Sequence, residues 1–152
     1  MKPLDIQIAE LETCLPFLEK KNTAVSQATV GWHIEHSLLA LIKSVSALEH
    51  SNPADYKKRF SLRWLFVSAI GRFPRGRAKA PASVRPEGEI TEEKLQPVFA
   101  KSREKSKVLT TLAKDKFLLH PVFGPLKYEQ ARKVISLHTD HHLRIIRDIL
   151  GK

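Results

Sequence analysis

The chain has 152 residues, the size of a single domain able to bury roughly two thirds of its unfolded surface around one core. Hydrophobic residues make up 42% and charged residues 28%, a balance that excludes wholesale disorder and a disulfide scaffold. Lysine and arginine number 26 against 16 acidic residues, a formal charge of +10, beside seven histidines and one cysteine.

That excess of cations raises the question of a nucleic acid or anionic surface as partner. Cys14 has no partner for an internal disulfide, and the start, Met1-Lys2-Pro3-Leu4-Asp5, lacks the apolar stretch of a secretory signal. A reducing, cytoplasmic location is expected. No window reaches the ~18 consecutive apolar residues of a membrane-spanning helix; the nearest, Trp64 to Ile70, is short and flanked by arginines. The charge is uneven: residues 1–56 carry four basic and seven acidic groups, residues 57–108 fourteen and five, and residues 109–152 eight and four.

In chain order, Leu4, Ile8, Leu11, Leu15 and Leu18 predict a helix over Leu4 to Glu19, with Pro16 disturbing its last turn. Thr29 is suited to capping a second helix, whose stripe Val30, Ile34, Leu38, Leu41, Val45 and Leu48 runs to Ser51-Asn52-Pro53. A shorter third piece from Pro53 to about Ile70 places Tyr56, Phe60, Trp64 and Val67 on one side. Gly71 to Glu89, with three glycines and three prolines, reads as a long basic loop. Thr91, Glu92 and Glu93 resemble a helix start, followed by the stripe Leu95, Val98, Phe99, Ser102, Ser106 and Leu109. The last helix runs from about Lys127 to Leu150 and stops at Gly151. No β alternation is evident. The expectation is an all-α fold: one domain over residues 1–152, a four-helix bundle with an extra short helix and a long loop between the second and third bundle helices.

The last helix carries the most chemical information. At about 100° per residue, Ala131, Val134, Ile135, Ile145, Ile146 and Ile149 share one side, and His138 and His142 fall within that stripe. An i, i+4 pair sets two imidazoles on one face within reach of one metal ion. The plain alternative is a pair of hydrogen-bonded core histidines, with each unsatisfied ring nitrogen costing about 1–3 kcal/mol. The second helix offers a third ligand in Gly31-Trp32-His33-Ile34-Glu35-His36-Ser37. Periodicity favours His33, which lies nearer the apolar stripe, whereas His36 lies on its flank. His141 sits at the edge of the apolar face, as a supporting or solvated group, and His50 reads as a surface residue.

His120-Pro121-Val122-Phe123-Gly124-Pro125-Leu126, followed by a helix containing Leu137-His138-Thr139-Asp140-His141-His142-Leu143-Arg144, resembles the end of a DinB/YfiT-like domain. The resemblance is nearest to the branch with an HPxFGxL element before the last helix. Thr29 to His36 is similar to that family's second-helix motif. The resemblance covers most of the chain and implies a four-helix bundle holding a divalent metal, zinc or nickel, through one histidine of the second helix and an H-x-x-x-H pair of the last. Carried over residue by residue, it implies His36, His138 and His142 as ligands. Two positions depart from the pattern. Lys127 stands where relatives often carry a capping Ser or Thr, and Ile145 where many have a polar Gln.

A three-histidine site leaves the charge of the ion uncompensated and a coordination position open, as catalytic sites do. Characterised relatives include transferases and isomerases dependent on bacillithiol, mycothiol or glutathione, so the resemblance implies a small-molecule thiol attacking an electrophilic substrate. A transferase or hydrolase-like enzyme is the leading expectation; homodimerisation is left open. Cys14 is expected as a small core residue rather than a nucleophile, Glu35 as a surface carboxylate, and Asp140 as solvated. The rival is a non-enzymatic binder of metal, anions or nucleic acid, using the basic 57–79 region with its Lys57, Lys58, Arg59, Arg63, Arg72, Arg75, Arg77 and Lys79. No nucleic-acid signature supports it, and Phe60 and Trp64 fit a core-facing stripe with the cations on its solvated side.

Overall fold

The first helix, α1, spans Leu4–Glu12 and stops about two turns before the expected Glu19. Pro16 is the reason: it has no N–H for the Glu12 carbonyl, and its ring would collide with that carbonyl in a continued helix. The chain passes instead into a single 3-10 turn at Leu15–Phe17. Ile8 and Leu11 are buried completely. The computed structural model describes residues 2–75 and 80–152; Arg77 and Lys79 of the basic stretch lie outside them.

Helix α2 covers Val30–His50. The Thr29 hydroxyl accepts from the Trp32 amide at 3.2 Å, a cap worth about 1 kcal/mol. Its predicted stripe, Val30 to Leu48, is buried throughout. Gly31 lets the preceding segment approach closely: its amide donates to the Leu18 carbonyl at 2.9 Å, and a Cβ there would stand 3.2 Å from the same oxygen.

The expected single piece from Pro53 to Ile70 is divided. A 3-10 turn at Pro53–Asp55 is followed by non-helical residues to Ser61, which caps α3, Leu62–Ile70. Because residues 56–60 are not helical, Tyr56 and Phe60 do not join the inner face of α3. Phe60 is 75% exposed, Val67 is buried, and Trp64 packs edge-on against Phe123 with ring centres 5.7 Å apart. Gly71, at φ +70°, ends the helix.

Within the long loop, a 3-10 turn at Ala82–Val84 buries Val84. Helix α4 spans Glu92–Thr111 with Thr91 as its cap. A hairpin follows that the sequence did not announce: β1, Phe117–His120, pairs antiparallel with β2, Gly124–Lys127, with Leu118 opposite Leu126. Four-residue strands hold too little alternation to register as a period. The turn is built from the histidine of the HPVFG element. Its Nδ1 accepts from the amides of Val122 and Phe123 at 3.2 and 3.4 Å, and Gly124 supplies φ +75°.

Helix α5 runs Tyr128–Leu150. Lys127 has no capping oxygen, and Gln130 compensates by accepting from the Lys127 amide at 2.9 Å. Among the described residues the protein is thus mostly helical with one small sheet. Helix α2 packs against α4 and α5, α1 packs against the same two, and the hairpin lies against α2 and α5. One continuous cluster of buried side chains joins them. Among the described residues no helix is long and apolar enough to cross a membrane.

Candidate metal centre

The contact between α2 and α5 brings three of the predicted histidines together. One ring nitrogen from each of His36, His138 and His142 lies within 4.8 Å of the others. The His36–His142 and His138–His142 ring centres are 4.7 Å apart, and those of His36 and His138 are 5.1 Å apart. His36 and His142 are buried, while His138 is half-buried, the most exposed member of the cluster.

Hydrogen bonds orient the rings. His36 Nδ1 donates to the Val84 carbonyl at 2.8 Å, which leaves Nε2 with a free lone pair. The basic loop thereby reaches into the site through its backbone. His142 Nδ1 lies 2.9 Å from His33 Nδ1, and His33 Nε2 lies 2.9 Å from the Ser26 hydroxyl. With the lone pair of His142 on Nε2, its Nδ1–H donates to His33, and His33 donates onward to Ser26. Ser26 also accepts from the Ala28 amide at 3.1 Å.

His33 and His36 are each 4% exposed, so burial does not separate them; geometry does. His33, favoured by periodicity, stands behind His142, and His36 completes the cluster. The indole of Trp32 stacks on His36 at 4.8 Å between ring centres.

All of these rings favour the neutral, ligand-ready form. Burial holds His138 and His142 well below the ordinary imidazole range, reinforced by the neighbouring histidines. Burial also lowers His36, against the raising effect of its bond to Val84, and takes His33 down to about 4.

Near His138 lies a cleft of about 270 Å³ lined by Arg72, Phe73, Arg75, Leu137, His141 and Arg144. The Phe73 ring links it to the cluster, 5.9 Å from His138 and 5.8 Å from His141. His141 is outside the three-histidine group, half-buried and lowered to about 4 by burial and then by Arg75.

Two expectations for other polar groups change. Glu35 is buried rather than on the surface, paired with Lys94 of α4 at 3.0 Å. A residue turned away from the cluster on α2 meets α4 instead of water, because α2 has neighbours on two sides. Asp140 is only 18% exposed in its side chain and pairs with Arg144 at 2.6 Å. Cys14 is half-buried at the edge of the core, its thiol 3.5 Å from the Glu10 carbonyl. Burial raises its pKa, the wrong direction for a nucleophile. His50 is exposed and bonded to the Ser46 carbonyl. The structural roles of His33 and His120 had no periodic signature, since both depend on partners distant in sequence or on turn geometry. No family model, curated protein or solved structure matches this chain.

Proposed function

We propose that this is a single-domain DinB/YfiT-like four-helix-bundle protein whose His36, His138 and His142 hold one divalent ion, zinc or nickel, for a thiol-dependent S-transferase reaction. One observation carries the reading: three histidine ring nitrogens converge within 4.8 Å with the His36 tautomer already set by Val84. When bound, such an ion supplies a positive centre that stabilises a thiolate at neutral pH.

The chain's own groups do the rest. His33 orients His142, and half-buried His138 marks the side from which substrate would approach. Phe73 covers part of that side and limits water. Arg72, Arg75 and Arg144 line the adjoining cleft and draw in an anionic thiol or electrophile. A low-molecular-weight thiol serves as nucleophile, consistent with the raised pKa of Cys14.

Metal analysis of the purified protein and of His138→Ala tests the site. About one divalent ion per chain in the parent and its loss in the variant are expected; equal content in both removes the proposal. Transfer of bacillithiol, glutathione or coenzyme A to a generic electrophile tests the activity. Metal retained with no transfer from any of these thiols removes the transferase reading and leaves a metal-binding protein.

A further inference from the structure

Helix α3 is apolar on both sides. Val67 and Trp64 face the molecule, but Leu62, Leu65, Phe66 and Ile70 are 71, 54, 56 and 45% exposed. Their i, i+3, i+4, i+8 spacing aligns them on one outer face. Phe60 just before the helix is 75% exposed, and Leu119 and Val122 of the hairpin are 72 and 41% exposed. The hairpin is a neighbour of this helix: Phe123 packs on Trp64, on the inner side of α3, and the Arg59 side chain lies 3.7 Å from the Cβ position of Gly124. Scattered apolar residues need no explanation, but five large ones on and just before one helix face, with two more on the neighbouring hairpin, mark a surface that is covered in use.

Charge identifies the cover. Lys57, Lys58, Arg59 and Arg63 border this face and are exposed. No acidic residue occurs between Tyr56 and Glu87, a stretch with nine lysines and arginines. A two-fold contact between copies of this face would set those cations against one another. Side chains that project from a short helix with roughly half or more of their surface exposed do not form a groove for a peptide; they suit a deformable apolar medium beneath an anionic layer. We propose that the outer face of α3, with Phe60 and the hairpin tip, inserts into the interface of an anionic lipid bilayer, with Lys57, Lys58, Arg59 and Arg63 among the headgroups. Lys133 of α5 donates to the Ser68 carbonyl at 3.0 Å, which holds the inserted helix against the helix that carries His138 and His142.

The test is sedimentation of the full chain with vesicles of phosphatidylcholine alone and of phosphatidylcholine with phosphatidylglycerol at roughly three to one. Leu65→Ser/Phe66→Ser removes apolar surface without changing charge, and both positions are exposed, so the fold is retained; circular dichroism checks this. The parent protein should bind the mixed vesicles and not the zwitterionic ones, and the double variant should bind roughly tenfold or more weakly. Binding unchanged in the double variant would show adsorption by net charge alone and overturn insertion. Absence of binding at low salt would overturn it as well. A concentration-dependent dimer in light scattering that the double variant abolishes would assign the face to a second copy, and capture of the patch by an acidic protein without vesicle binding would assign it to that partner; either overturns the proposal.

Discussion

His142 Nδ1 on α5 and His33 Nδ1 on α2 lie 2.9 Å apart, both rings buried. Only one of two such nitrogens can carry the proton, so this contact decides which nitrogen of His142 faces His36 and His138. Partners of this kind fix ligand orientation and typically change metal affinity by about 10–100-fold when removed. His33→Ala should weaken zinc binding within that range, measured by competition with a chelating dye. His33→Gln, which keeps an acceptor, should recover part of the loss. Equal affinity in the parent and His33→Ala would mean that His142 is oriented by its helix alone.

The Glu35–Lys94 pair is asymmetric, with side chains 6% and 36% exposed. Lys94→Met leaves a buried carboxylate without its partner and should cost about 2–4 kcal/mol. Glu35→Gln releases a lysine that water can solvate and should cost about 1 kcal/mol. Urea unfolding of both variants checks the order. The reverse order would place the carboxylate in contact with water.

Gly31→Ala tests the close approach near the start of α2. Alanine gains about 1 kcal/mol of helix propensity over glycine, but its Cβ would meet the Leu18 carbonyl and the Ile90 methyl at 3.2 Å. A backbone oxygen that also accepts the Gly31 amide at 2.9 Å cannot easily retreat, and overpacking of this sort costs about 1–3 kcal/mol. The melting temperature should fall; a rise would show that the segment before α2 yields.

His120 links the hairpin to pH. Burial lowers it from 6.5 to about 4, so the folded protein takes up its proton later than the unfolded chain does. The stabilisation is complete above about pH 6.5 and is lost as pH falls towards about 4. Protonation also removes the acceptor for Val122 and Phe123. In His120→Asn, which offers an oxygen near the same place but does not titrate, the fall in stability through this window should be shallower by up to about 1.4 kcal/mol per pH unit. Parallel profiles for parent and variant would assign the acid sensitivity to other groups.

Helices α2, α4 and α5 were legible because each of their signals is local. Capping threonines, the stripes of α2 and α5, and the stop at Gly151 depend on residues within a turn or two of one another. The H-x-x-x-H pair belongs to the same class, since four residues on one helix are neighbours whatever the fold. Phe60, Glu35 and the hairpin were misread for the converse reason. Whether Phe60 faces inwards depends on where a helix begins, and Glu35 is buried only because α4 lies beside it. The short strands of the hairpin need their turn histidine to be recognised at all.

His33 and His36 mark the boundary most sharply. Local pattern alone set an inward pair on α5 and, on α2, one histidine near the apolar stripe and one on its flank. Their division into a ring that meets His138 and a ring that stands behind His142 was decided by the packing of α2 on α5 and by the Val84 carbonyl from a distant loop. Helical phase specifies a direction around one axis. A binding site is an intersection of several such directions, and only tertiary structure brings the axes together.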